Sequence, residues 1–187
     1  MDKAKSSNDP QEWRTAACVT IAFVNFLRIS EVVSLRMNDL SFTASSITIT
    51  VRQAKRRADG FQAVMARDTS YCQFIEEFWA RFKLSTKSKF YCFPLFSGTK
   101  LKGLSSSALQ KDLKHLLHDL GYDCAGYAFH SCKIGGTTVA AEKGMNTGDI
   151  ISMGRWKSRG MIDRYSRVSN SHLEKLSLQL CNSPAPK

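Results

Sequence analysis

Tyr165 lies in a run of cations. Arg155, Lys157, Arg159, Arg164 and Arg167 surround it, Trp156 precedes it by nine positions and His130 by thirty-five. A tyrosine hydroxyl among fixed positive charges is a nucleophile toward a phosphate, because the same charges stabilise the phenolate and the phosphorane-like transition state. The competing reading is a helix-borne tyrosine in a basic DNA-binding face, since clusters of this kind are often structural. Taken alone, the stretch Tyr127–Val168 leaves both readings open.

A second stretch, FLRISEVVSLRMNDLSF, bears on the choice. Arg28 stands at a junction between two apolar helical runs, with Glu31 three residues on. That spacing lets the carboxylate hold the guanidinium by a bidentate pair. An arginine inside such a run costs free energy unless paired, so a structural bridge and a phosphate ligand are equally good local readings. A third cationic feature is the turn Lys55-Arg56-Arg57-Ala58-Asp59-Gly60, preceded by Arg52. Lys55 there either reaches a phosphate or belongs to a solvated charged turn.

These groups need elements to carry them. Ile47, Ile49 and Val51 alternate with Thr48, Thr50 and Arg52 across Ser46–Gln53, which predicts a half-buried strand, and Phe61–Ala66 is its returning partner. Helices are predicted over Trp13–Leu27, from Ile29 to Met37, over Asp68–Arg81, over Ala108–Leu120 with Leu109, Leu113, Leu116, Leu117 and Leu120 inward, over His130–Lys143 and over Asn146–Met153. Asn8-Asp9-Pro10 is placed to cap the first of these. Met1–Gln11 reads as a flexible lead, Leu84–Gly103 as a loop anchored by Pro94-Leu95-Phe96, and His172–Leu180 as an amphipathic tail helix. The fold class is mainly α (α+β), with a small antiparallel β-sheet. The domain reading is one body over residues 12–168 followed by a tail at 169–187.

A chain of 187 residues with 43% hydrophobic content suits one sizeable domain. Its net charge of +11 and pI near 9.6 point to a polyanion, most simply nucleic acid. A membrane surface is the rival partner, but no long apolar run or signal-like N-terminus supports it. Six cysteines without C-x-x-C spacing read as reduced thiols in an intracellular setting, and no zinc site is spelled out. Together with the charge, this suggests a nuclear or nucleoid location.

The motifs resemble those of tyrosine recombinases, the phage integrase family. FLRISEVVSL is similar to that family's first-arginine box, His130-Ser131-Cys132-Lys133 to its His-x-x-Arg box, and Gly154-Arg155-Trp156 with Tyr165 to its Gly–His/Trp–Tyr box. The wording most resembles recombinases of eukaryotic cryptons and DIRS-like elements, across about Trp13 to Val168. The resemblance implies a helical catalytic domain in which Tyr165 attacks a phosphodiester, forms a 3′-phosphotyrosine and releases a 5′-hydroxyl. It implies that Arg28 grips the non-bridging oxygens, buttressed by Glu31. Lys55 would protonate the leaving oxygen, His130 would bond the phosphate or help deprotonate Tyr165, and Trp156 would pack against the helix of Tyr165 and donate its indole N–H to phosphate. Arg52, Arg56, Arg57, Arg155, Lys157 and Arg159 would contact DNA.

No metal or cofactor is implied. The partner would be double-stranded DNA, with a homo-oligomer, a tetramer on DNA, exchanging C-terminal segments around Leu173–Leu180. Two departures stand out. Lys133 occupies the second-arginine position, keeping the charge but losing the planar fork, with Arg155 the candidate to compensate. The N-terminal clamp domain usual in the family has no counterpart here, which reads as an isolated catalytic fragment or a naturally minimal form, with Asp9-Pro10, where a linker would end, favouring the fragment. A weakened recombinase retained as a DNA-binding module and a type IB topoisomerase-like activity are the alternatives.

Overall fold

A computed structural model describes residues 1–52, 60–84, 89–97, 100–158, 160, 162, 174 and 178. The chain divides into two compact units, Met1–Lys133 and Ile134–Lys187. The expected fold class holds: helices dominate, with a three-stranded antiparallel sheet and a two-stranded one. The tail helix expected over His172–Leu180 falls almost wholly outside the described residues.

The expected flexible lead is instead a short helix, α1 (Asp2–Ser6), whose Ala4 is buried. Lys5 pairs with Glu77 at 3.1 Å, and the Trp13 indole N–H donates to the Ser7 carbonyl at 2.9 Å. The central helix α2 (Pro10–Asn25) begins as its sequence dictates. Asp9 accepts the Gln11 N–H at 2.8 Å, and Pro10 stands where no backbone donor is needed. Phe26 adopts the left-handed conformation at φ 51° and ends the helix, so the chain turns before Arg28.

Helix α3 (Ile29–Ser34) is shorter than the apolar pattern predicts. Leu35 to Met37 leave the helix to pair with the Phe90–Cys92 segment: Cys92 N–H donates to Leu35 O and Met37 N–H to Phe90 O, each at 2.8 Å. A 3₁₀ turn (Met37–Asp39) then feeds β1 (Leu40–Phe42), a strand too short to show a period-2 pattern. Strands β2 (Ser46–Val51) and β3 (Phe61–Ala66) pair antiparallel, from Ser46 opposite Ala66 to Val51 opposite Phe61. Ile47, Ile49 and Val51 face the core as predicted. At the return of this hairpin Gly60 has φ 73°, and a Cβ there would lie 2.4 Å from the Val51 carbonyl oxygen. Only glycine fits.

Helix α4 (Ser70–Arg81), capped by Thr69, supplies the aromatic wall. Trp13 stacks on Phe74 at 5.1 Å between ring centroids, and Phe78 stacks on Phe93 at 5.9 Å. Burial of this kind makes truncation of Trp13 or Phe74 to Ala worth about 3–5 kcal/mol. The stretch expected as plain loop contains a small hairpin, β4 (Leu95–Ser97) with β5 (Lys100–Lys102). Pro94 anchors it as expected, its carbonyl accepting from Arg14 at 3.2 Å. Arg14 is buried and also pairs with Asp112 of α5 (Ser106–Asp119) at 2.5 Å, which fastens α2, α5 and the hairpin together. On α5 Leu109 and Leu113 are buried, whereas Leu120, expected inward, is exposed beyond the helix end.

In the second unit α6 (His130–Glu142), which starts in the first, is followed by α7 (Thr147–Gly154), capped by Asn146. The five described cysteines are free thiols. Burial raises the pKa of Cys18 and Cys92, and pushes Cys72 and Cys132 up to about 11, so these thiols are poor nucleophiles. No described helix is long and apolar enough to cross a membrane.

Candidate active site

Arg28 is the N-cap residue of α3, extended at φ −84° and ψ 156°. Glu31, one turn in, is 2% exposed, and its two oxygens divide the work. Oε2 accepts the Arg28 backbone N–H at 2.6 Å, and Oε1 accepts from Nη1 at 2.9 Å. The expected bidentate pair is therefore a single guanidinium contact plus a cap. The physical reason is the helix start: an orphan N–H at Arg28 competes for the carboxylate and wins one oxygen. The guanidinium, 27% exposed, keeps its outer fork of N–H donors, and among the described residues Glu31 is its bonded acceptor. One side chain thus fixes both the start of α3 and the direction of Arg28.

The first turn of α6 brings His130 and Lys133 together on one face, three residues apart. The turn is set by Ser131, whose hydroxyl accepts the Ala128 N–H at 3.2 Å, and by Gln110 of α5, which accepts the Phe129 N–H at 2.8 Å. His130 is solvent-exposed at the helix start, yet its pKa is lowered below the ordinary histidine value. Partial desolvation is the main cause, followed by the charges of Lys133 and Arg28. That electrostatic coupling shows three of the sequence-predicted residues gathered in the Met1–Lys133 unit. At neutral pH the imidazole is uncharged, able to accept a proton on one nitrogen and donate from the other. Lys133 is fully buried, so its ammonium is a point charge enclosed by protein, in contrast to the partly open fork of Arg28.

In the Ile134–Lys187 unit, α7 ends where Arg155 turns left-handed at φ 56°. Trp156 then folds back: its N–H donates to Ile151 O at 3.1 Å and its ring lies against Gly154. A Cβ at Gly154 would come within 2.5 Å of the indole, so the glycine of Gly154-Arg155-Trp156 exists to seat the tryptophan. Trp156 is buried, Lys157 is exposed, and Arg155 Nη1 donates to Met153 O at 2.9 Å. Tyr165 and Arg159 lie outside the described residues, as do Lys55, Arg56 and Arg57 of the basic turn.

Arg52, expected only as a DNA contact, is also an ion-pair partner. Its Nε bonds Asp39 Oδ1, and its side chain is 63% exposed. Sequence reasoning missed Asp39 and the Arg36–Tyr91 stack, in which the guanidinium lies 4.3 Å from the ring centroid. A signal was there: Arg36-Met-Asn-Asp39 repeats the acid-three-after-arginine spacing of Arg28-Ile-Ser-Glu31.

Comparison with known proteins fits this arrangement. The fold is similar to XerH site-specific recombinase bound to a palindromic difH substrate, at 14% identity and a TM-score of 0.71, over 91% of this chain and 46% of that one. It is similar to XerA recombinase at 15% identity and a TM-score of 0.71, over 97% and 63%. A lambda integrase dimer bound to a COC′ core site matches at 13% identity and a TM-score of 0.59, over 84% and 45%. The chain thus spans less than two thirds of the length of these recombinases. No curated protein matches it by sequence. The model of the phage integrase family matches residues 1–172, nearly the whole chain and every box from Arg28 to Trp156. The chain belongs to the phage integrase family.

Proposed function

We propose that this chain is the catalytic part of a site-specific DNA recombinase that cuts and rejoins strands through a covalent phosphotyrosine, without a metal. The observation that carries the reading is the clustering of Arg28, Lys133 and a neutral His130, with Arg28 aimed by Glu31. In this mechanism Tyr165 Oη attacks a backbone phosphorus and its proton passes to His130. Arg28 takes the non-bridging oxygens in its planar fork, and Lys133 adds positive charge. The P–O5′ bond breaks, Lys55 gives its proton to the departing oxygen, and a 3′-phosphotyrosine remains. A 5′-hydroxyl from another strand reverses the step, which is strand exchange. Trp156, seated on Gly154, supports the segment that carries Tyr165. Arg52, Arg56, Arg57, Arg155, Lys157 and Arg159 hold the duplex.

The motif wording supports a mobile-element recombinase of the crypton or DIRS-like kind, acting in the nucleus as a tetramer on DNA that exchanges its C-terminal segments. A second reading has its own support. Lysine at position 133 lacks the planar fork of an arginine, and a lost oxyanion contact costs about 2.7–4 kcal/mol, or roughly 100- to 1000-fold in rate. A weakened recombinase kept as a DNA-binding module would look the same.

A nicked duplex that traps the covalent intermediate tests the proposal. Wild type should form an adduct, and its absence at concentrations where DNA is bound sinks the enzymatic reading. A large gain in cleavage on Lys133→Arg would show that only the missing fork limits the site; no gain would favour the binding module.

A further inference from the structure

A second arginine in the Met1–Lys133 unit is held by a buried carboxylate, away from the cluster around His130. Asp39, 3% exposed at its side chain, spends one oxygen on the Arg36 backbone N–H at 2.9 Å and the other on Arg52 Nε. Both oxygens of the acid are thereby satisfied. Arg52 closes the exposed end of β2, and its Nη groups carry no bond to protein among the described residues. A guanidinium tethered through Nε presents its flat outer edge, the edge that fits a phosphate. An untethered surface arginine would lose more rotamer freedom on binding, so the tether pre-organises the contact.

The surroundings suit an anion. Arg52 lines a cleft of about 410 Å³, with Ser34, Arg36, Thr50 and Tyr91 supplying further donors and Asp39 the one carboxylate among its lining residues. Arg36 is itself fixed, stacked on Tyr91 and donating to Lys89 O at 2.8 Å and Tyr91 Oη at 3.2 Å. With Asp39 offset by Arg52, the Arg36 charge leaves the cleft positive. The cleft lies at the C-terminal end of α3 and Arg28 at its N-terminal end. Six helical residues span roughly 9 Å, comparable to a few successive charges along one DNA strand at about 3.4 Å each.

We propose that this cleft is a second phosphate site for the DNA backbone, with Arg52 as its ligand and Asp39 as the residue that positions Arg52. It rests on the reading that the chain acts on DNA. Positioning and simple charge predict opposite signs for one variant. Asp39→Asn raises the formal net charge from +11 to +12, and charge counting alone makes it bind DNA more tightly. Positioning makes it bind more weakly.

The test measures duplex binding against salt concentration for wild type, Asp39→Asn, Arg52→Gln and the double variant, with melting curves to establish folding. Arg52→Gln should weaken binding several-fold and reduce the slope of log K on log salt by about one. Asp39→Asn should do the same, and the double variant should match Arg52→Gln alone. Tighter or unchanged binding by Asp39→Asn, or additive losses, overturns the proposal. If Asp39→Asn does not fold, Arg52→Lys decides: loss equal to that of Arg52→Gln supports a held fork, and full retention overturns it. Wild type without salt-dependent binding would sink the DNA reading itself, not the assignment of the cleft.

Discussion

Arg28 and Arg52 are both held by buried carboxylates, and the two holders differ in how far the chain must travel to make them. Glu31 reaches Arg28 within one helical turn, using one oxygen for the helix cap and one for the guanidinium. Asp39 uses the same division, but its guanidinium comes from 13 residues away, across the strand pairing of β1 with β2. The first unit is therefore in place as soon as α3 forms. The second exists only after the sheet has its register. Arg28 is therefore held by a local device, and Arg52 by one that needs the completed sheet.

The largest expected effect comes from breaking the local unit at its tip. Arg28→Ala should lower adduct formation roughly 100- to 1000-fold and lower the melting temperature by a smaller margin, because the buried Glu31 Oε1 loses its guanidinium while the cap on α3 keeps the Arg28 backbone. Single-turnover cleavage beside a thermal melt separates the two quantities. Breaking the same unit from below should reverse the emphasis. Glu31→Ala leaves a helix start and a cation without their acceptor, at about 1–3 kcal/mol of stability, read as a lower midpoint in denaturant.

The pH response comes next. His130 has a folded pKa below its ordinary value of 6.5, so the unfolded chain takes up the proton first. The stability tied to its neutral form is complete above about pH 6.5 and is lost as pH falls through the folded value. Acid should lower the melting temperature of wild type more than that of His130→Gln, and the acid limb of the cleavage profile should change with it. Equal acid sensitivity of the two proteins would show that neither partial desolvation nor the charges of Lys133 and Arg28 disfavour the protonated imidazole. The smallest effect belongs to the long-range unit, a several-fold loss of DNA affinity in Asp39→Asn, visible mainly in the salt slope.

The same contrast explains what the sequence disclosed. Arg28 with Glu31, the β2–β3 hairpin, the Asp9–Pro10 cap and helix α5 are specified within a few residues, and alternation or cap chemistry reveals them. Gly154 beside Trp156 was legible as a motif, though its cause, a ring lying on the glycine, needed coordinates. What escaped depends on distant partners. Leu35–Met37 continues a helical apolar pattern but is drawn extended by the Phe90–Cys92 segment, and three-residue strands such as β1, β4 and β5 carry no periodicity. Helix α1 forms on a polar lead because Ala4 and Trp13 find burial against the body. Asp39 was hidden because its partner is on another element.

The most direct test of the central claim is to digest the trapped protein–DNA adduct and map the modified peptide by mass spectrometry. The mechanism predicts a 3′-phosphate remnant on the peptide containing Tyr165, and none in the Tyr165→Phe protein. A remnant on Tyr122, Tyr127 or any other residue, or an adduct that survives Tyr165→Phe, would contradict it.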